Sequence, residues 1–168
     1  STFQIGECHF AAKRYEVAAD YYRQLVERQN IGNLNAEDLR RMQREKIAGL
    51  VDETALELAA KAEIRVGICY AFLKRYDESE TAYRRVINLF STERTLVEEA
   101  YLRLADLFQE KGDTDQALQV YREAIDRSSD RNLKARIQYA LAERFFAQGQ
   151  YPSAIGEYRI FLRGYGDV

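Results

Sequence analysis

The chain has 168 residues, 46% of them hydrophobic, and its 25 Lys and Arg nearly balance 27 Asp and Glu, giving a formal net charge of −2. This balance argues against a nucleic-acid-binding platform, which usually carries a marked basic excess, and no apolar run approaches the roughly 20 residues of a membrane-spanning helix. One Pro and nine Gly in the whole chain predict an all-α protein, because these two residues are the strongest helix breakers.

Four pairs of amphipathic segments follow one another along the chain. The first members end in apolar or aromatic clusters and run from Phe3 to Phe10, Ile64 to Phe72, Tyr101 to Phe108 and Ile137 to Phe146. The second members open at Tyr15, Tyr76, Thr114 and Tyr151. Turn residues, Gly112-Asp113 and Gly149-Gln150, separate the two members of the later pairs, and Asp113 and Asp130 suit helix N-caps. The pattern predicts four helix hairpins.

The first interval between hairpins is longer than the others because residues 30–57 match neither neighbour. A turn at residues 30–33 precedes a short amphipathic helix that starts near Asn35, and a new helix start at Asp52 is expected to continue to about Lys74. Two interpretations remain open for this insertion. It is either a solvated connection that lies on the array or a protrusion that binds a partner.

The second helices share an internal pattern. Three residues after each opening position comes a small side chain, at Ala18, Ser79, Ala117 and Ala154. Four residues further comes an aromatic side chain, at Tyr22, Tyr83, Tyr121 and Tyr158. Spacings of three and four residues keep both positions on one helix face, where a small residue lets a neighbouring helix approach.

This pattern resembles the tetratricopeptide repeat, and the likeness is strongest in AYLRLADLFQEKGDTDQALQVYREAI and QYALAERFFAQGQYPSAIGEYRIFL. The resemblance covers roughly residues 1–30 and 58–163. It implies an all-α right-handed superhelix of about four hairpins with one helical insertion. We expect one domain over residues 1–168, with an insertion at 30–57 and repeats at about 1–29, 58–91, 95–128 and 131–163. The first residue is Ser1 rather than Met, so we expect a fragment of a larger protein.

The sequence offers few residues for catalysis or metal binding. His9 is the only histidine, no zinc, nucleophile or phosphate-loop motif accompanies it, and we expect it to be packed. Cys8 and Cys69 occupy equivalent repeat positions and are expected to be small buried thiols. We therefore expect no enzyme activity, no cofactor and no metal site.

The resemblance implies that certain first-helix side chains line a concave groove. The principal candidates are Phe10, Lys61, Ile64, Ile68, Phe72, Leu102, Asp106, Arg136, Tyr139, Glu143 and Phe146. An apolar stripe with a polar rim suits a partner helix or extended peptide. The alternative is that the insertion, or packing between repeats, buries the same side chains.

The expected function is a non-catalytic protein–protein interaction scaffold. Acids at Glu7, Asp106 and Glu143 would repel a carboxylate, so we expect a basic or apolar partner segment rather than a chaperone C-terminus, and no nucleic acid. The alternative is a structural segment of a larger array or homo-oligomer that associates through its ends. The final repeat, QYPSAIGEYRIFLRGYGD, also resembles repeats of bacterial cell-envelope lipoproteins, which favours the periplasm over the cytoplasm.

Overall fold

The computed structural model describes residues 1–28, 41 and 53–166. Eight α-helices lie in residues 1–28 and 53–166, and they are α1 (Thr2–Ala11), α2 (Tyr15–Arg28), α3 (Glu53–Phe72), α4 (Tyr76–Leu89), α5 (Arg94–Glu110), α6 (Thr114–Arg127), α7 (Arg131–Ala147) and α8 (Tyr151–Tyr165). The predicted all-α class and the succession of helix hairpins are confirmed. No helix among the described residues is long and apolar enough to cross a bilayer.

Most of the predicted insertion lies outside the described residues. Of residues 30–57, Arg41 and the opening residues of α3 are described. The long helix expected from Asp52 to about Lys74 agrees with α3, which runs from Glu53 to Phe72. Whether the insertion packs or binds a partner stays a prediction.

One turn type joins the two helices of every hairpin. At the first turn, the Arg14 N–H donates to the His9 carbonyl at 2.9 Å and the Lys13 N–H donates to the Phe10 carbonyl at 2.9 Å. This pair of bonds is the Schellman motif, and it requires a left-handed residue after the helix. The left-handed residues are Lys13, Lys74, Gly112 and Gly149, with φ between 57° and 79°.

Predicted caps begin two of the later helices. The Asp113 side chain accepts a hydrogen bond from the Gln116 N–H at the start of α6, and Asp130 accepts from the N–H groups of Asn132 and Leu133 at the start of α7. Each cap satisfies backbone donors that have no partner inside the helix. The predicted turns and caps of the third and fourth hairpins are therefore confirmed.

The chain divides into two compact units, Ser1–Arg103 and Leu104–Val168, with the division inside α5. In the first unit, α2 packs against α1 and α3, and α3 packs against α4. The buried core joins three of these helices and contains Ala18, Ala19, Tyr22, Leu25 and Val26 of α2, Ala62, Val66, Cys69 and Tyr70 of α3, and Ala82 of α4. In the second unit, α7 packs against α6 and α8.

Within the first two hairpins, a tyrosine ring lies directly against a glycine. A Cβ added at Gly6 would lie 2.7 Å from the Tyr22 ring, and one at Gly67 would lie 2.5 Å from the Tyr83 ring. Both rings are buried. Ser79 takes the position of alanine in the other hairpins, and its buried hydroxyl donates to the Gly67 carbonyl at 2.8 Å. The polar atom is therefore satisfied at this helix contact.

Candidate protein-binding surface

The structure places the predicted groove residues at three levels of exposure. The exposed residues are Lys61, Phe72, Arg136, Tyr139, Glu143 and Phe146. The half-buried residues are Phe10, Leu102 and Asp106. The buried residues are Ile64 and Ile68. Since buried side chains offer little surface to a partner, Ile64 and Ile68 are not part of the candidate surface.

Three aromatic rings meet at the ends of the first two hairpins, and we call Phe10, Tyr15 and Phe72 the aromatic cluster. The Tyr15 and Phe72 rings stack with centroids 4.6 Å apart and an interplanar angle of 8°. Phe10 meets both edge-on, at 5.4 Å from Tyr15 and 6.0 Å from Phe72. Phe72 is nevertheless 55% exposed. The cluster thus presents an ordered apolar face to solvent.

A charged network supports the aromatic cluster from one side. The Tyr22 hydroxyl donates to Glu7 Oε1 at 2.5 Å, and Arg65 donates through Nε to Glu7 Oε1 at 2.9 Å and through Nη2 to Oε2 at 3.1 Å. The Arg65 guanidinium also lies 5.3 Å from the centre of the Phe10 ring. Burial, followed by the bond to Glu7, raises the pKa of Tyr22 well above its usual value.

The other two predicted acids also have partners. Arg144 donates to Asp106, and the Tyr158 hydroxyl donates to Glu143. The bond to Glu143, with burial second, raises the pKa of Tyr158 to about 12. Glu7 and Asp106 are thus each paired with an arginine, whereas Glu143 accepts from a neutral hydroxyl and keeps its charge. The prediction of a basic or apolar partner segment stays a prediction.

The second unit has an aromatic surface of its own on α7 and α8. The exposed Tyr139 ring lies edge-on to Tyr158 at 5.9 Å and to Phe161 at 5.6 Å. The exposed Phe146 ring meets Tyr151 in the same way at 5.6 Å. Tyr139 and Phe146 therefore both lie on an accessible apolar face, beside residues of the adjacent helix.

Sequence reasoning missed Tyr15, Arg65 and Arg144. Tyr15 was identified only as the residue that opens a second helix, although its place after the turn brings it against the end of α1. Both arginines lie on a first helix and reach back to an acid on the preceding first helix. Both residues are basic and lie at helical spacing from the predicted groove positions, and these two features of the sequence could have identified them.

The histidine and the two cysteines are the residues considered for catalysis or metal binding, and the structure shows the surroundings of each. His9 is half-buried and stacks on Tyr21 with centroids 5.2 Å apart, which agrees with the packed histidine expected. Burial raises the pKa of Cys69 to about 12. The expectation of a buried thiol at Cys8 is wrong, because Cys8 is exposed. Cys69 is packed in the core that α2 and α3 share. Within the described ranges, no group of three His, Cys, Asp or Glu could hold a metal ion.

Comparison with known proteins identifies the repeat. A family model described as tetratricopeptide repeat matches residues 57–130 and 96–159, and a second model with the same description matches residues 1–29. Among curated proteins, BBSome complex member BBS4 of Bos taurus is 29% identical over 65 residues, which are 39% of this chain and 12% of that protein. The alignment thus spans a small part of that relative. Because the matched repeats cover more than half of the chain, the protein belongs to the tetratricopeptide repeat family, whose repeats are generally protein–protein interaction modules.

Proposed function

We propose that the chain is a non-catalytic interaction module that binds an apolar peptide or helix of a partner protein on its exposed first-helix side chains. The observation that carries this proposal is the exposure of Phe72 within the aromatic cluster. Exposed apolar side chains that form a contiguous patch rimmed by polar groups are typical of protein-interaction sites.

The aromatic cluster is suited to binding because its rings already hold one another in place. Phe10 and Tyr15 both contact Phe72, and Arg65 fixes Phe10 from the side. A partner side chain that covers Phe72 therefore orders few new groups, and this preorganisation lowers the entropic cost of association. The Glu7–Arg65 pair supplies a polar rim that can orient the segment.

The second unit offers Tyr139 and Phe146 as anchors, with Arg136 one helical turn before Tyr139 on α7. We propose this face as an additional contact surface for the same class of apolar segment. Aromatic and arginine side chains are enriched among the residues that dominate binding energy.

A peptide-library selection tests the aromatic cluster directly. Peptides selected on the wild-type chain are labelled, and their affinities are then compared with those for Phe72→Ala by fluorescence anisotropy. We expect enrichment of aromatic and aliphatic peptides and at least about a tenfold loss of affinity in the variant, because truncating a central anchor costs about 1.4 kcal/mol or more.

Val17→Ala is the matched control, since Val17 is also an exposed apolar residue of the first unit but lies on α2. The control should bind as the wild type does. Selected peptides that bind Phe72→Ala as tightly as wild type, or a selection that enriches no apolar peptide, would contradict the proposal.

A second candidate function is a structural segment that associates through its ends. The observation in its favour is the exposure of Ile155 and Leu162 on α8.

We also propose a bacterial cell-envelope location, supported by the likeness of the final repeat to envelope lipoprotein repeats. Detection of the native protein in periplasmic rather than cytoplasmic extracts would test the location.

A further inference from the structure

A cavity of about 200 Å³ lies beside the α2–α3 junction, where Val26 of α2 and Val66 of α3 belong to one buried core. Residues of α3 and α4 form most of its lining, and α2 contributes Arg23. A cavity of about 150 Å³ is large enough to bind benzene. The cavity beside the junction therefore has room for a side chain of another molecule.

The buried part of the lining is apolar except for one acid. Val66, Tyr70 and Ala82 are buried, and so is Glu63, of which only 3% is exposed. Glu63 lies three residues before Val66 and seven before Tyr70, so these three residues share one face of α3. The carboxylate of Glu63 is thus held at the cavity among apolar side chains.

Glu63 has an incomplete set of hydrogen-bond donors. Arg85 Nη1 lies 3.2 Å from Glu63 Oε1, which is longer than the roughly 2.7–2.9 Å of a charge-assisted hydrogen bond. A carboxylate can accept about four hydrogen bonds, and buried polar groups usually have partners because an unpaired one is costly. Within the described ranges no hydrogen bond reaches Glu63 Oε2. This oxygen remains as an acceptor for a ligand.

The other charged groups around the cavity are engaged or exposed. Arg23 donates to Asp20, and Arg75 donates to Glu78 at 2.9 Å. Arg85 is half-buried, so water and salt weaken the field of its guanidinium. The buried acid is therefore the charge at the cavity that is least compensated by its neighbours.

These features together select an ammonium group on an alkyl chain. The apolar lining can cover methylene groups, and the acid can receive the charged end. A guanidinium binds a carboxylate best through both oxygens, but Arg85 already lies at Glu63 Oε1. The remaining oxygen suits a compact point charge, and the lysine side chain carries such a charge on a flexible four-carbon stem.

We propose that the cavity binds a lysine side chain of a partner protein, with its ammonium bonded to Glu63 Oε2 and its methylene groups packed on Val66 and Ala82. The site lies about half a turn around α3 from Phe72. It is therefore distinct from the aromatic cluster and goes beyond the function proposed above.

The energetics of Glu63 support a role in binding. Burial raises the pKa of Glu63, because the charged carboxylate loses its hydration there. An ammonium bonded to the carboxylate would offset this cost in the complex. Acids that burial perturbs beside a cavity are concentrated at functional sites.

An NMR titration of the whole chain with short capped peptides tests the proposal. Acetyl-Gly-Lys-Gly-amide should shift the backbone amide signals of α3 and α4 around the cavity, including those of Val66 and Ala82. A peptide with norleucine in place of lysine keeps the four-carbon stem without the charge, and acetyl-lysine removes the charge by modification. Both should bind at least about tenfold more weakly than the lysine peptide.

Substitutions at the cavity should change this affinity in a defined way. Glu63→Gln removes the charge but keeps the size of the side chain, and it should weaken binding of the lysine peptide at least about tenfold. Thr81 is an exposed lining residue, so Thr81→Arg should also weaken binding by adding a cation, whereas Thr81→Gln should not.

Glu80→Gln is the matched control. Glu80 is an acid of α4 that pairs with Arg84 at 2.8 Å and does not line the cavity, so the variant should bind the lysine peptide as the wild type does. Phe72→Ala should also bind it unchanged, which separates failure of this site from failure of the aromatic cluster.

Three outcomes would overturn the proposal. A norleucine peptide that binds as tightly as the lysine peptide would show that the acid does not select the ligand. Binding of n-butylamine as tight as that of the lysine peptide would overturn the assignment to a protein segment. Unchanged amide signals at the highest soluble concentration of the lysine peptide would overturn the site itself.

Discussion

Glu63 is an acid held almost entirely inside the first unit. Its side chain lies beside a cavity of about 200 Å³ that is also lined by Arg23, Tyr70 and Arg85, and Glu63 Oε1 lies 3.2 Å from Arg85 Nη1. Burial raises the pKa of Glu63, and this effect exceeds the opposite effects of Arg85 and Arg23. The charged carboxylate is therefore less favourable in the folded chain than in the unfolded one.

The raised pKa of Glu63 makes the free energy of unfolding depend on pH. A carboxyl whose pKa is higher in the folded state binds its proton more tightly there, so the free energy of unfolding falls as pH rises from the unfolded pKa through the folded one. Glu63→Gln removes the titration and keeps an oxygen that can accept from Arg85. We expect the variant to be more stable than wild type near pH 7 and to converge with it near pH 4.

Urea denaturation across that pH range measures the effect. Glu27→Gln, at an exposed position on α2, is the control and should leave the pH profile unchanged. A Glu63→Gln variant that is less stable than wild type near neutral pH would show that the pair with Arg85 outweighs the cost of burial.

At the residue scale, sequence could identify types and spacings but not partners. Cys8 and Cys69 occupy the same repeat position, yet one is exposed and the other buried. The difference arises from the helix that covers each face, which the residues themselves do not encode. For the same reason, the sequence does not show that an arginine of a later first helix bonds each of the acids Glu7 and Asp106.

At the scale of the helix, the contact between a glycine and a tyrosine ring sets how closely the two helices of a hairpin approach. The Tyr83 ring is buried against Gly67, and an added Cβ would lie 2.5 Å from it. The ring has little room to retreat because interiors are close-packed. Gly67 is thus required by space rather than by its backbone conformation.

Gly67→Ala should destabilise the first unit despite the better helix propensity of alanine. Overpacking typically costs about 1–3 kcal/mol, and the higher helix propensity of alanine offsets up to about 1 kcal/mol of that cost. We therefore expect the free energy of unfolding to fall by about 1–2 kcal/mol. Gly156→Ala is the control, since no atom lies within 4 Å of a Cβ added at Gly156. It should gain about 0.5–1 kcal/mol.

Chemical denaturation of both variants gives the comparison. An unchanged or higher stability for Gly67→Ala would mean that the Tyr83 ring moves aside without cost, which is contrary to the close packing described here.

Helices and turns were well predicted because their signals are local. Gly112, Gly149, Asp113 and Asp130 each act through backbone geometry or a cap within a few residues, and the tyrosine spacing marks each second helix. The exposure of first-helix positions was predicted less well. Ile64 and Ile68 are buried while Phe72 is exposed, and this depends on contacts between helices that are distant in sequence.

At the scale of the molecule, burial is distributed unevenly among the second helices. Five residues are buried in α2, namely Ala18, Ala19, Tyr22, Leu25 and Val26. In α8, which is described over its whole length, only Ala154 is buried. In repeat proteins, stability is approximately a sum of repeat and nearest-neighbour terms, so we expect α8 to open at a lower free energy than the other three second helices.

Hydrogen exchange followed by mass spectrometry should show this gradient. Under native conditions, peptides from α8 should exchange faster than peptides from α2, because helix opening that exposes few buried groups costs little free energy. The measurement is best made at low protein concentration, where contact between copies would not protect α8. Equal protection of the two helices would show that buried area does not determine the order of opening.

The α2–α3 junction also has a consequence for the chain during its synthesis. About forty residues separate Val26 from Val66, and a ribosome adds roughly 5–20 residues per second. The nascent first hairpin therefore waits roughly 2–8 s before α3 emerges to cover Val26. During that interval Val26 lacks the cover that α3 later supplies, and apolar surface without its native cover is the kind that nascent-chain chaperones protect from aggregation.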